Sequence, residues 1–91
     1  MRLWPTSEVP SKLLRKTAEK LGLTLEEASN HTDVLQINTG LKTQIPRHPR
    51  VKRELAREII RYIILKMEFP ERQVQKALGT DLPIVPESKK Q

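Results

Sequence analysis

The sequence contains no cysteine among its 91 residues. This absence excludes a disulfide-stabilised scaffold and any zinc site built on thiolates. Aromatic side chains are also rare, since the chain has one tryptophan, one tyrosine and one phenylalanine. We therefore expect the hydrophobic core to consist of leucine, isoleucine and valine. A chain of this length has room for one small domain with a single core.

Long apolar runs are absent as well, and none approaches the ~20 residues that a membrane-spanning helix needs. The first residues of the sequence lack the apolar core of a secretory signal peptide. The three glycines, Gly22, Gly40 and Gly79, lie far apart, so the chain has no glycine-rich phosphate loop. These features predict a cytoplasmic protein without a membrane partner, and no residue pattern implies a metal or cofactor.

Positive charge is concentrated in one segment of the chain. The formal net charge is +6. Residues 42–66 contain eight lysines and arginines and two glutamates, and eight minus two gives that segment a charge of +6. A neutral body with one basic segment indicates binding of a polyanion. The alternative is a solvated helix face on which charges pair with neighbours three or four residues away.

Hydrophobic periodicity predicts two long helices. The first is expected over residues 8–21 and ends at Gly22, which suits a helix C-terminus. The second is expected over residues 51–67. Its apolar surface is wider than one stripe, because it includes Ile60, Ile64 and Met67. Either a short helix over residues 70–79 or a partner protein is needed to cover this surface.

Between the two long helices the pattern changes to the alternation that is typical of strands. Leu23 and Leu25 alternate with polar residues, and residues 31–37 and 41–45 follow as two further short strands. Residues 38–40 between them have the composition of a hairpin turn. Three consecutive short strands predict an antiparallel meander.

The predicted fold class is α+β, with the order α-β-β-β-α and a short C-terminal helix. Helices on one face of the three-stranded sheet would bury its apolar side and leave the other side in water. We assign residues 1–79 to this single domain. Residues 80–91 are expected to form a flexible tail, because they are rich in proline, lysine and other polar residues.

Two local motifs belong to the second and third predicted strands. Thr43-Gln44-Ile45-Pro46-Arg47-His48 precedes the second long helix, and His31 opens the second strand. Together with the element order and a first helix ending at Leu21-Gly22, these motifs resemble the HicA family of toxins over roughly residues 10–66. The chain has Ser29-Asn30-His31 where the family usually has Gly-Ser-His.

The resemblance implies a fold similar to that of a double-stranded RNA-binding domain. It also implies a toxin of a toxin–antitoxin system, a metal-independent endoribonuclease that acts on messenger RNA. The expected partners are therefore RNA and a cognate HicB-like antitoxin. The resemblance nominates His31 as the catalytic residue.

RNA cleavage without a metal needs a base for the ribose 2′-OH, an acid for the leaving 5′-oxygen, and cations near the phosphorus. Histidine suits proton transfer because its unperturbed pKa is about 6.5. His48 lies between two prolines, and we expect it to bind phosphate or to be structural. The side chains expected to bind RNA belong to the third strand, the basic loop and the next helix: Lys42, Arg47, His48, Arg50, Lys52 and Arg53.

Two other functions are compatible with the same residues. A binding module on this fold would hold structured RNA or DNA by charge and shape, without chemistry. A protein-interaction module would instead dock a partner on the apolar helix at residues 51–67. The placement of His31 favours the nuclease, whereas the departure at Ser29-Asn30 favours the binding module.

Overall fold

The computed structural model describes residues 2–86 and has an α+β architecture. The elements are, in chain order, β1 (Val9–Pro10), α1 (Ser11–Lys20), β2 (Thr24–Glu27), β3 (His31–Gln36), β4 (Leu41–Pro46), β5 (Arg50–Val51), α2 (Arg53–Leu65) and α3 (Glu71–Leu78). Within residues 2–86, no helix combines the length and the hydropathy that crossing a lipid bilayer requires.

Strands β2, β3 and β4 form a three-stranded antiparallel sheet in that order. Thr32 of β3 lies opposite Ile45, and Val34 lies opposite Leu25 and Thr43. Thr32, Val34 and Ile45 are buried, and Val34 and Ile45 belong to the same core as residues of α1 and α2. The predicted α+β fold with an antiparallel meander is therefore confirmed.

A second, two-stranded sheet pairs β1 with β5, so that Val9 lies opposite Val51. This pairing corrects both predicted helix starts. Helix α1 begins at Ser11 rather than at residue 8, because Pro10 is extended and paired with β5. Helix α2 begins at Arg53 rather than at residue 51, because Val51 belongs to β5. The small sheet thus ties the start of α1 to the basic loop.

The wide apolar surface of α2 lies mostly inside the domain. Ile60 is 0% exposed and Met67 is 3% exposed, so both belong to the core, whereas Ile64 is half-buried. Helix α3, with Val74 and Leu78 buried, packs against α1 and α2. The predicted C-terminal helix is confirmed, and no partner is needed to cover Ile60 or Met67.

The segment after α3 differs from the flexible tail predicted for residues 80–91. Ile84 and Val85 are buried, and burying a side chain of this size contributes about 1.5–3 kcal/mol. Their backbone N–H groups donate to Glu71 Oε2 over 2.6 and 3.0 Å. The Trp4 backbone N–H donates to the Pro83 carbonyl over 2.8 Å. The domain therefore extends past residue 79, and residues 87–91 lie outside the described residues.

Candidate functional site

Strand β3 places His31 and Asp33 on the face of the sheet opposite the core, because residues two apart in a strand point to the same side. His31 Nε2 lies 3.0 Å from Asp33 Oδ1. The two side chains are 31% and 16% exposed, respectively. Lys42 of β4 approaches the same carboxylate, with Nζ 4.0 Å from Asp33 Oδ2. The three side chains form a compact cluster, which we call the His31 cluster.

Asp33 orients this cluster. Its Oδ1 atom is buried and accepts no hydrogen bond from residues 2–86, although His31 Nε2 is close. A buried acceptor without a hydrogen bond destabilises the folded state, and a small rotation of the His31 ring that aligned its N–H with Oδ1 would form the missing bond. A carboxylate beside one ring nitrogen fixes the ring orientation and leaves the other nitrogen for a substrate. Nδ1 of His31 takes part in no hydrogen bond among the described residues.

Arg47 lies at the same end of the sheet, because His31 is paired with Pro46. Its backbone N–H donates to the Asn30 carbonyl over 3.3 Å, and Nη1 donates to the Ala28 carbonyl over 2.8 Å. Arg47 therefore holds the turn that precedes His31. Asn30 keeps a negative φ in that turn, so the position does not need the glycine-like conformation that asparagine tolerates.

The other residues predicted to bind RNA lie around the start of α2. His48, Arg50 and Lys52 are exposed and line a cleft of about 610 Å³, which we call the loop cleft. Leu55, 39% exposed, adds an apolar wall, and Glu8 adds one carboxylate to the lining. His31 does not line this cleft, so the structure does not bring the two histidines together in one pocket. Across residues 2–86, no three potential metal ligands form a group suited to a metal ion.

Arg53, the last residue of the predicted binding set, is partly occupied by a neighbour. Its Nη2 atom donates to Glu54 Oε2 over 3.0 Å. The pKa of Glu54 is lowered, first by a hydrogen bond from its own backbone N–H and then by the Arg53 guanidinium. Glu54 therefore stays ionised in the first turn of α2 and offsets part of the positive charge there.

A second cleft, about 450 Å³ in volume, lies beside the same helix turn. We call it the arginine cleft; its lining consists of Arg2, Leu3, Pro5, Thr6, Arg53 and Arg57. Arg57 is fixed there, since Nε donates to the Trp4 carbonyl over 3.4 Å and Nη2 to the Pro5 carbonyl over 3.0 Å.

Sequence reasoning missed Asp33, Arg2 and Arg57. The alternation of β3 could have found Asp33, since it is two residues from His31. The spacing of four residues between Arg53 and Arg57 could have placed these two on one helix face. Nothing local could have found Arg2, because a fold-back of the N-terminal segment brings it to α2.

Comparison of the chain with family models, with curated proteins and with solved structures found no match. The functional conclusions therefore depend on the geometry of the His31 cluster and of the two clefts.

Proposed function

We propose that this protein is a HicA-like toxin, with a fold of the double-stranded RNA-binding type, that cleaves messenger RNA without a metal. The observation that carries the proposal is the setting of His31. The imidazole is part-exposed on the open sheet face, and its Nε2 lies 3.0 Å from Asp33 Oδ1. Lys42 Nζ lies 4.0 Å from Asp33 Oδ2, and Arg47 lies at the same end of the sheet as His31.

The proposed reaction begins at the free ring nitrogen of His31. Nδ1 takes the proton from a ribose 2′-OH while the O2′–P bond forms. The P–O5′ bond then breaks, the leaving 5′-oxygen takes a proton from water, and a 2′,3′-cyclic phosphate remains. Lys42, which approaches the same carboxylate as His31, and Arg47, which lies at the same end of the sheet as His31, are the cations proposed to offset charge that develops on the phosphate oxygens. Asp33 holds the ring in the orientation that points Nδ1 outward.

A cognate HicB-like antitoxin is the proposed protein partner. The loop cleft offers it three cationic or imidazole side chains, His48, Arg50 and Lys52, beside the exposed Leu55. An acidic segment with one apolar side chain would match this surface, because opposite charges steer association. Ile60 and Met67 belong to the core and are not available as an apolar anchor for the antitoxin.

The alternative is an RNA- or DNA-binding module without chemistry. The observation in its favour is that Asp33 lies within 4.0 Å of both His31 and Lys42, so that the imidazole could serve only to balance a partly buried carboxylate. Binding would then depend on the loop cleft, and His31 would contribute to folding alone.

Cleavage of a single-stranded RNA in EDTA by wild type, His31→Ala and His48→Ala decides between these functions. We expect the wild type to cleave, and His31→Ala to be slower by about 10²-fold or more, since positioned proton transfer contributes about 10²–10⁴-fold. His48→Ala should weaken RNA binding and leave the rate at saturating RNA near that of wild type.

Binding of an uncleavable 2′-O-methyl RNA and a thermal melt serve as controls for the fold of each variant. Wild-type rates in His31→Ala contradict the catalytic role of His31. Loss of wild-type cleavage in EDTA contradicts the metal-free mechanism. RNA binding without any cleavage by the wild type establishes the binding module instead.

A further inference from the structure

We propose that the arginine cleft is a second phosphate-binding subsite, which holds the RNA backbone on the opposite side of α2 from the loop cleft. This inference rests on the proposed binding of RNA and extends it to Arg2 and Arg57, two residues outside the predicted site. The subsite would lengthen the bound strand beyond the nucleotides that contact the loop cleft.

The two clefts lie on different sides of the first turns of α2. Arg53 and Arg57 are four residues apart and therefore share one face of the helix. Leu55, which lines the loop cleft, lies about 160–200° around the helix axis from them at 100° per residue. A strand that left the loop cleft at Lys52 would meet Arg53 as it crossed the N-terminus of α2.

The lining of the arginine cleft is suited to an anion. Three arginines from two separate parts of the chain converge on it, and none of its lining residues is acidic. Like charges repel one another, and Glu54 offsets only part of the charge of Arg53 and Arg57, so a bound anion would stabilise this arrangement. Guanidinium groups bind phosphate oxygens in a bidentate manner, which a lysine cannot reproduce.

Each arginine of the cleft has at least one donor left for such an anion. Arg2 makes no hydrogen bond or ion pair with any residue in the range 2–86. The bonds from Arg57 to the Trp4 and Pro5 carbonyls use Nε and Nη2, so they fix the guanidinium and leave Nη1 free. Arg53 uses only Nη2 in its bond to Glu54. The hydroxyl-bearing Thr6 also lines the cleft.

The width of α2 sets the minimum length of an RNA strand that could occupy both clefts. A helix with its side chains is about 10–12 Å across, so a strand that occupies both clefts spans several nucleotides. A trinucleotide has only two internucleotide phosphates, which lie too close together to contact both clefts at once. Removing a contact in the arginine cleft should therefore weaken the binding of a long oligonucleotide more than that of a trinucleotide.

Arg2→Gln is the informative variant, because Arg2 is exposed and its replacement breaks no described bond. The matched control is Lys76→Gln, which removes the same charge from an exposed position on α3, beside the C-terminal end of α1. The probe is a 2′-O-methyl RNA, which lacks the 2′-OH and cannot be cleaved. Its binding is measured by fluorescence anisotropy over a range of salt concentrations, for a 12-mer and for a trinucleotide.

For the 12-mer, Arg2→Gln should weaken binding by about threefold and lower the salt-dependence slope by roughly 0.7, the value for one single-strand phosphate contact. Lys76→Gln should match the wild type for both oligonucleotides, and Arg2→Gln should weaken the trinucleotide less than the 12-mer. An Arg2→Gln slope equal to wild type, in a protein that cleaves RNA, overturns the subsite and leaves the nuclease intact. A lowered slope in a protein that cleaves nothing supports the subsite and overturns the nuclease. Absence of RNA binding by the wild type overturns both.

Discussion

The two charged regions of this protein differ in how their cations are balanced. On the sheet, Lys42 lies 4.0 Å from Asp33, and Arg47 lies 3.8 Å from Glu27. Around the start of α2, Arg53 pairs with Glu54 over 3.0 Å, whereas Arg2, Arg50, Lys52 and Arg57 form no ion pair within residues 2–86. The basic segment at residues 42–66 looks uniform in sequence, but the folded chain divides it into a paired part and an unpaired part.

This difference separates two uses of positive charge. Paired cations have fixed positions, which suits a reaction that needs donors aimed at one phosphate group. Unpaired cations that line clefts produce a positive potential, which attracts a polyanion and holds it by many weak contacts. The sheet is therefore the proposed place for chemistry, and the two clefts beside α2 are the proposed place for binding.

Asp33→Asn, for which we expect the largest effect, tests whether the chemistry takes place on the sheet. An amide cannot replace the carboxylate that orients His31, so we expect the cleavage rate at saturating RNA to fall on the order of 10²-fold. Binding of RNA should not weaken, because the change removes a negative charge. The rate is measured in single-turnover experiments in EDTA, and the fold by thermal melting.

Glu26→Gln is the matched control for Asp33→Asn. Glu26 is the cross-strand neighbour of Asp33 on β2 and is exposed. Within residues 2–86 it forms no hydrogen bond or ion pair with His31. Equal losses of rate in the two variants would show that local charge matters and orientation does not. The thermal melt shows whether Asp33→Asn keeps its fold after the loss of the contacts of the carboxylate with His31 and Lys42.

Local patterns predicted much of this fold. The strands predicted at residues 31–37 and 41–45 are found at His31–Gln36 and Leu41–Pro46, because alternation and the turn between them are properties of adjacent residues. The missed features depend on distant partners. Val9 becomes a strand only because Val51 lies opposite it, and Ile84 enters the core only because the chain folds back on α3.

In the candidate site, too, some features follow from adjacent residues and others depend on distant parts of the chain. The closeness of His31 to Arg47 follows from two strands and one turn, and the motif in the sequence already contains that information. The motif does not show the separate roles of the residues that were predicted to bind RNA. The hydrogen bond from Arg47 to the Ala28 carbonyl, for example, depends on the shape of the turn before β3. The arginine cleft depends on contacts between the N-terminal segment and α2, such as the bond from Arg57 to Pro5.

Arg47→Gln and Arg50→Gln compare one paired and one unpaired cation with the same change of charge. Arg47→Gln should lower the free energy of unfolding by about 1 kcal/mol, because it removes a charge-assisted bond to Ala28 from a half-exposed side chain. Arg50→Gln should leave stability unchanged, since the Arg50 side chain is exposed and forms no hydrogen bond or ion pair within residues 2–86. Thermal or urea unfolding measures both.

Binding of the 2′-O-methyl 12-mer is the second measurement on these two variants. Arg50→Gln should lower the salt slope by roughly 0.7. A destabilised Arg50→Gln, or an Arg47→Gln with wild-type stability, would show that the division into paired and unpaired cations does not hold.

Glu54→Gln should have the smallest effect, and it tests the one carboxylate that offsets charge at the start of α2. The pKa of Glu54 is lowered by its own backbone N–H and by Arg53, so its contribution to stability is present above the ordinary glutamate pKa, about 4.3. That contribution is lost as the pH falls through the lowered pKa of the folded state.

At neutral pH the Glu54→Gln variant should melt slightly below wild type, and the two melting temperatures should converge in acid. They should also converge at high salt, because the Glu54 side chain is exposed and salt screens its charge. Glu58→Gln, which removes the same charge from the middle of α2, is the matched control. Since Glu54→Gln also frees Arg53 from its partner, RNA should bind the variant more tightly than it binds Glu58→Gln. Equal affinities of the two variants would mean that the Arg53–Glu54 pair does not restrain binding at the arginine cleft.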